Sequence, residues 1–161
     1  MSWHRVRVVV VVAVTAVLLA ACGGSGGPKP TPSAPATLEA SIPAFQTFSG
    51  MTVPPAAKQV SLSVVQDPSG APAYRVDFVL PSGQVDAYCT AGQLPTPLDI
   101  YTVPPYVADR FGYDAGTADP GGVKVAEGGL PDRVTLQRTV LATGTDTSTA
   151  TVRTYAFAQP R

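Results

Sequence analysis

Few side chains in this chain are equipped for chemistry, and one absence dominates. Of 161 residues a single one is histidine, His4, and two are cysteine, Cys22 and Cys89. Catalysis by Ser-His-Asp or Cys-His needs an imidazole near the nucleophile, and histidine is also the commonest general base near neutral pH. A lone His4 at the extreme N-terminus supplies neither function. The lysines are Lys29, Lys58 and Lys124, and none follows a serine at Ser-x-x-Lys spacing. A Walker loop, a G-x-G-x-x-G after a strand and a Cys-x-x-Cys are all missing. Asp109, Asp114 and Asp119 stand in a glycine-rich stretch, but their spacing does not match the calcium loop D-x-D-x-D-G. They read as turn residues, and neither a metal set nor a cofactor is implied. Cys89 falls in phase with Val85 and Ala87, which predicts a small buried hydrophobe rather than a reactive thiol. Arg138 shares a strand face with Val134, Leu136 and Val140, so it must reach an edge or pair with an acid. The most suggestive surface is the proline-rich segment from Leu94 to Tyr106. There rigid prolines stand beside Tyr101, Tyr106, Phe111 and Tyr113, an aromatic set suited to a glycan, peptide or lipid.

The elements that position these residues are mostly strands. Proline is enriched at 17 residues and charged residues make up only 14%, against a usual charged share of about 25%. That composition excludes a coiled coil and a charge-rich disordered chain. Eleven Lys and Arg balance eleven Asp and Glu, leaving no basic field for nucleic acid. Tyr74, Val76, Phe78 and Leu80 alternate with Arg75 and Asp77, a strand with one apolar and one wet face. Val60, Leu62 and Val64 form its predecessor, and Asp67-Pro68-Ser69-Gly70 the turn between them. After Pro81-Ser82-Gly83, residues 84–90 are expected to return as a third strand. Residues 134–142 and 150–158 flank a polar loop as a second hairpin, with a short strand over 123–126. A short helix is predicted from Pro105 to Phe111, since Pro105 suits a first helical position and Gly112 the position after the end. The expected fold is mainly β: five or six antiparallel strands, as a sandwich or one sheet, with a short helix packed on it.

The N-terminus carries an address. Arg5 and Arg7 precede an apolar run from Val8 to Leu19, about 18 Å of helix and too short for a hydrocarbon core of about 30 Å. The run ends in Leu19-Ala20-Ala21-Cys22, followed by Gly23-Gly24-Ser25-Gly26-Gly27. This resembles the lipobox of bacterial lipoproteins, in an actinobacterial style. The resemblance covers the first 22 residues only. It implies cleavage between Ala21 and Cys22, diacylglyceryl transfer to the Cys22 thiol, and a membrane anchor without a spanning helix. Cleavage would remove His4, Arg5 and Arg7 and leave nine basic and eleven acidic residues.

Residues 22–44, rich in glycine and then proline, are expected to form the acylated cysteine and a flexible tether. Residues 45–161 form the β-rich domain. The resulting expectation is a lipid-anchored envelope protein facing outside the cytoplasm, acting as a non-enzymatic binding or accessory module. Its ligand would be an envelope protein, glycan or lipid. The alternatives are a carbohydrate-active hydrolase working without histidine, and a purely structural scaffold.

Overall fold

The computed structural model describes residues 37–113, 119 and 121–159. The signal sequence, Cys22 and most of the tether lie outside the described residues, as does Asp114. The domain is one six-stranded antiparallel sheet in the order β1-β2-β6-β5-β4-β3. The strands are β1 (Lys58–Gln66), β2 (Pro72–Pro81), β3 (Leu98–Ile100), β4 (Val123–Leu130), β5 (Arg133–Thr143) and β6 (Thr149–Ala158). Three short helices accompany them: α1 (Ile42–Ser49), α2 (Val85–Ala91) and α3 (Pro105–Phe111). The fold is thus mainly β, in the single-sheet form. No helix among the described residues is long and apolar enough to cross a membrane.

The sheet is covered on both faces because its long strands β2, β4, β5 and β6 have apolar residues in both phases. Tyr74, Val76, Phe78 and Leu80 of β2, Val140 and Ala142 of β5, and Ala150, Val152 and Ala156 of β6 point to one face, where Phe45 of α1 and Val85, Tyr88 and Cys89 of α2 cover them. Leu141, Tyr155 and Phe157 point to the other, under Val107, Ala108 and Phe111 of α3. That second face is only partly roofed. Arg75, Asp77, Glu127 and Arg153 alternate into it from the strands and stay at least partly solvated.

Two expectations are corrected. Residues 84–90 do not return as a strand: a 3-10 turn at Ser82–Gln84 leads into α2, and Gly92 follows its end. Both edges of β2 are already taken, by β1 on one side and on the other by β6 along Ala73↔Phe157 to Pro81↔Thr149. A local third strand has no partner left, so the segment saves its backbone hydrogen bonds by coiling. The folded part also begins earlier than Phe45. Ser41 caps α1 by accepting from the Ala44 amide at 3.3 Å, and Gly50 closes it at φ 68°. Leu38 and Ile42 pack on the core, and the Tyr74 hydroxyl donates to the Glu39 carbonyl at 2.7 Å.

β4 runs on past Ala126 through Glu127-Gly128-Gly129 to Leu130, with an irregular register between Gly128 and Leu130. The glycine pair is a bulge rather than a turn. A Cβ on Gly129 would sit 2.9 Å from the Leu136 carbonyl oxygen, so only glycine permits this approach.

Candidate functional site

Helix α3 runs from Pro105 to Phe111, and Gly112 closes it at φ 60°, as the sequence predicts. Its inward residues Val107, Ala108 and Phe111 anchor it, and the Phe111 ring meets Tyr155 edge-to-face at 5.9 Å. The outward residues Tyr106, Asp109 and Arg110 are spaced three and four apart and so share a stripe.

This geometry breaks up the aromatic set expected from sequence. Phe111 is 2% exposed and belongs to the core. Tyr113 is half-buried against the same cluster, with the Arg153 guanidinium 5.6 Å from its ring centroid. Tyr101 and Tyr106 remain as surface, 95% and 51% exposed, joined by Leu98 at 71%. Both flank β3, a three-residue edge strand paired only with β4.

Two grooves adjoin this edge and share Ile100. One, of about 400 Å³, is lined by Pro95, Thr96, Leu98, Pro104, Tyr106, Val125, Ala126 and Glu127 and is largely apolar. The other, of about 660 Å³, carries Tyr101 and Thr102 with three aspartates, Asp99, Asp119 and Asp146. Two of the three are tied into turns: Asp119 Oδ1 accepts from the Gly121 amide at 2.9 Å, and the Asp146 amide donates to the Gly121 carbonyl at 2.5 Å. Among the described residues no cluster of three or more Cys, His, Asp or Glu is placed to hold a metal ion. Asp109 lines a different cleft from Asp119.

Arg110 joins the β3 side to the sheet. Its Nη1 donates to Glu127 Oε1 at 3.2 Å and to Thr139 Oγ1 at 3.0 Å, while the Tyr106 hydroxyl donates to Glu127 Oε2 at 2.6 Å. The guanidinium stacks at 5.1 Å from the Phe157 centroid and 5.7 Å from that of Tyr106. The carboxylate that accepts its proton and the adjoining negative charge push the Tyr106 phenol up.

On the opposite flank of α3 lies a polar cleft of about 510 Å³ that sequence reasoning missed, bounded by the β1–β2 turn and Tyr155. Its polar groups are Gln66, Asp67, Arg75, Asp109, Arg110 and the Tyr155 hydroxyl. Asp67 read as an ordinary turn residue, and nothing local signals that β6 brings Tyr155 beside it.

Comparison with protein-family models, with curated proteins and with solved structures found no match. The functional reading therefore rests on the chain's own chemistry.

Two further residues resolve as structural. Cys89 is fully buried, but from a helix, on the stripe of Val85 and Tyr88 rather than beside Ala87. Burial, aided by the charge of Asp86, pushes its thiol up to about 12, leaving little thiolate to react. Arg138 is 1% exposed and neither reaches an edge nor meets an acid. It donates instead to four backbone carbonyls: Gly128 at 3.3 Å, Gly129 at 2.6 Å, Ser49 at 3.3 Å, and Gly92. Ser49 and Gly92 stand at the C-terminal ends of α1 and α2, where the aligned peptide dipoles favour a cation.

Proposed function

We propose that the chain is a lipid-anchored protein of the bacterial cell envelope, acylated on Cys22 and facing outside the cytoplasm. Its β-domain would serve as a non-catalytic binding module that meets a protein partner at the β3 face. The observation that carries the binding reading is a clustering. Of five exposed large hydrophobic residues among those described, three (Leu98, Tyr101 and Tyr106) fall within nine positions around one edge strand. Val60 and Val134 are the other two. Apolar side chains gathered beside an unpaired strand edge supply both the desolvation energy and the backbone groups with which a partner docks. The anchor is supported by the basic start, the short apolar run and Leu19-Ala20-Ala21-Cys22.

Two measurements test the two halves. Palmitate label should enter the wild-type chain in cells and disappear in Cys22→Ser. Undiminished label in that variant, or a wild-type chain in the cytosolic fraction, would refute the anchor. A photoreactive amino acid at position 101 should give one discrete adduct in intact cells, abolished by Leu98→Ser, while the same probe at position 60 on the opposite edge gives none. Equal adducts from both positions, or none from 101, would remove the β3 face as a docking surface.

A second reading has one observation in its favour, the three aspartates on one groove. A hydrolase using two of them would cleave chromogenic glycosides and lose that activity in Asp99→Asn. Such activity would replace the binding reading.

A further inference from the structure

The β3 edge carries charge as well as apolar surface, and the charge is one-sided. β3 is the outermost strand, and only β4 pairs with it, along Leu98↔Val125, Asp99↔Lys124 and Ile100↔Val123. Side chains alternate faces along a strand. Leu98 and Ile100 share the α3 face, where they line the apolar groove with Pro104 and Tyr106. Asp99 turns to the opposite face and lines the other groove with Asp119 and Asp146. Lys124, its cross-strand partner, gives its ammonium to Asp86 Oδ1 of α2 at 3.0 Å. Asp99 thus has no ion-pair partner among the described residues. Elsewhere among those residues six acidic and six basic side chains balance, so the net negative charge of the described domain resides here, on four aspartates around one lysine.

A strand added to β3 must obey the same alternation. Directly opposed residues of paired strands point to one face. The residue opposite Asp99 therefore lies on the aspartate side, and its two neighbours lie over the apolar groove. Opposite charges facing each other across a strand pair are favourable, and like charges are unfavourable. A lysine or arginine fits opposite Asp99, and Tyr101, which lines the same groove, offers its ring to that cation. An acidic segment would meet four aspartates. A second copy docking edge to edge would bring the same aspartates against one another, so it is disfavoured for the same reason.

We propose that the β3 edge receives an extended segment of a protein partner as an added strand, with an apolar–basic–apolar pattern set over Leu98, Asp99 and Ile100. This rests on the docking role of the β3 face and adds the partner's chemistry to it.

Two experiments on the full chain test it. In the first, the end-blocked peptide Thr-Val-Lys-Val-Thr and its charge-reversed twin Thr-Val-Glu-Val-Thr are titrated into the chain in detergent at low salt, and the amide shifts of Leu98–Ile100 are followed. The lysine peptide should bind about fivefold more tightly, the upper end for one cross-strand charge pair. Asp99 is exposed, so its variants keep the fold. Asp99→Asn should level the preference and Asp99→Lys should invert it, whereas Lys58→Glu on β1 should leave it as it is. In the second, the cellular adduct from position 101 should be lost in Asp99→Lys, and the crosslinked segment should carry a basic residue between two apolar ones. Equal binding of the twin peptides, a preference that Asp99→Lys does not change, or binding of neither peptide would each overturn the proposal. An adduct that survives Asp99→Lys would overturn the basic partner while leaving the β3 face as a docking surface. No adduct from position 101 in the wild type would remove both.

Discussion

Arg138→Met should cost about 2–4 kcal/mol of stability, because buried carbonyls lose a charged donor at about 1–3 kcal/mol each while the cost of burying the guanidinium is recovered. For a domain of this size that corresponds to a fall in Tm of roughly 10 °C or more. Thermal unfolding of the variant beside wild type measures it. Methionine nearly fills the volume, so packing is largely kept and the loss isolates the hydrogen bonds. Four carbonyls, those of Ser49, Gly92, Gly128 and Gly129, lose their donor together; those of Ser49 and Gly92 are then buried acceptors without it, while those of Gly128 and Gly129 lie nearer water. Arg138→Lys should rescue little. A single ammonium cannot span acceptors on α1, α2 and the β4 bulge at once, whereas the planar guanidinium does so from one position. Stability within 1 kcal/mol of wild type for Arg138→Met, a difference about the size of an ordinary hydrogen bond, would mean that water replaces the guanidinium and that the staple is dispensable.

Alkaline unfolding is the second large effect. Burial pushes the Cys89 thiol from 9.0 up to about 12 and the Tyr155 phenol from 10.0 up to about 12, and it raises Tyr88 as well despite the hydrogen bond to Thr154. All three are acids whose charged form the folded state disfavours. Above pH about 9 the unfolded chain releases the Cys89 proton while the native chain keeps it, so the unfolded state binds fewer protons and stability falls as pH rises. The contribution is intact below pH 9 and is lost progressively towards pH 12. Cys89 alone gives on the order of 2 kcal/mol by pH 11, and the tyrosines add to the slope above pH 10. Denaturant unfolding at pH 8, 9, 10 and 11 should show a midpoint that declines from pH 9 onward. Cys89→Val should flatten the first part of that decline. A midpoint constant to pH 11 would place the thiol in contact with water.

Each of these effects depends on residues that sequence alone read only in part. Cys89 illustrates how a correct burial can follow from an incorrect element. Val85, Ala87 and Cys89 alternate like a strand, yet Val85, Tyr88 and Cys89 are spaced like one face of a helix, and seven residues are too few for periodicity to separate the two. The choice was made by β6, which pairs along the whole of β2 and leaves no edge for a neighbour. Ser41 and Gly50 are ordinary helix caps, but Pro43 and the proline run before it masked them; a proline in the first turn is compatible with a helix. For α3 the caps and the apolar spacing agreed, and its boundaries were legible.

The candidate sites divide in the same way. That Tyr101 and Tyr106 are surface and that Asp67 closes a turn follow from local composition. Phe111 was grouped with the surface aromatics because it is close to them in sequence, whereas helical phase turns it inward beside Val107 and Ala108.

By itself, the sequence determined what local chemistry controls: the β-rich composition, the two hairpins, the turns and the short helix after Pro105. Alternation, proline geometry and glycine freedom act over a few residues and can be read there. Only the tertiary structure decided which strands meet, which segment coils for want of a partner, and which polar groups are shut away from water. The reach of Arg138 to the ends of α1 and α2 and the approach of Tyr155 to Asp67 are contacts across tens of residues, set by the order in which β6 enters the sheet between β2 and β5. No window of sequence contains that information, because the free energy of each contact depends on surface that chain segments far apart remove from water together.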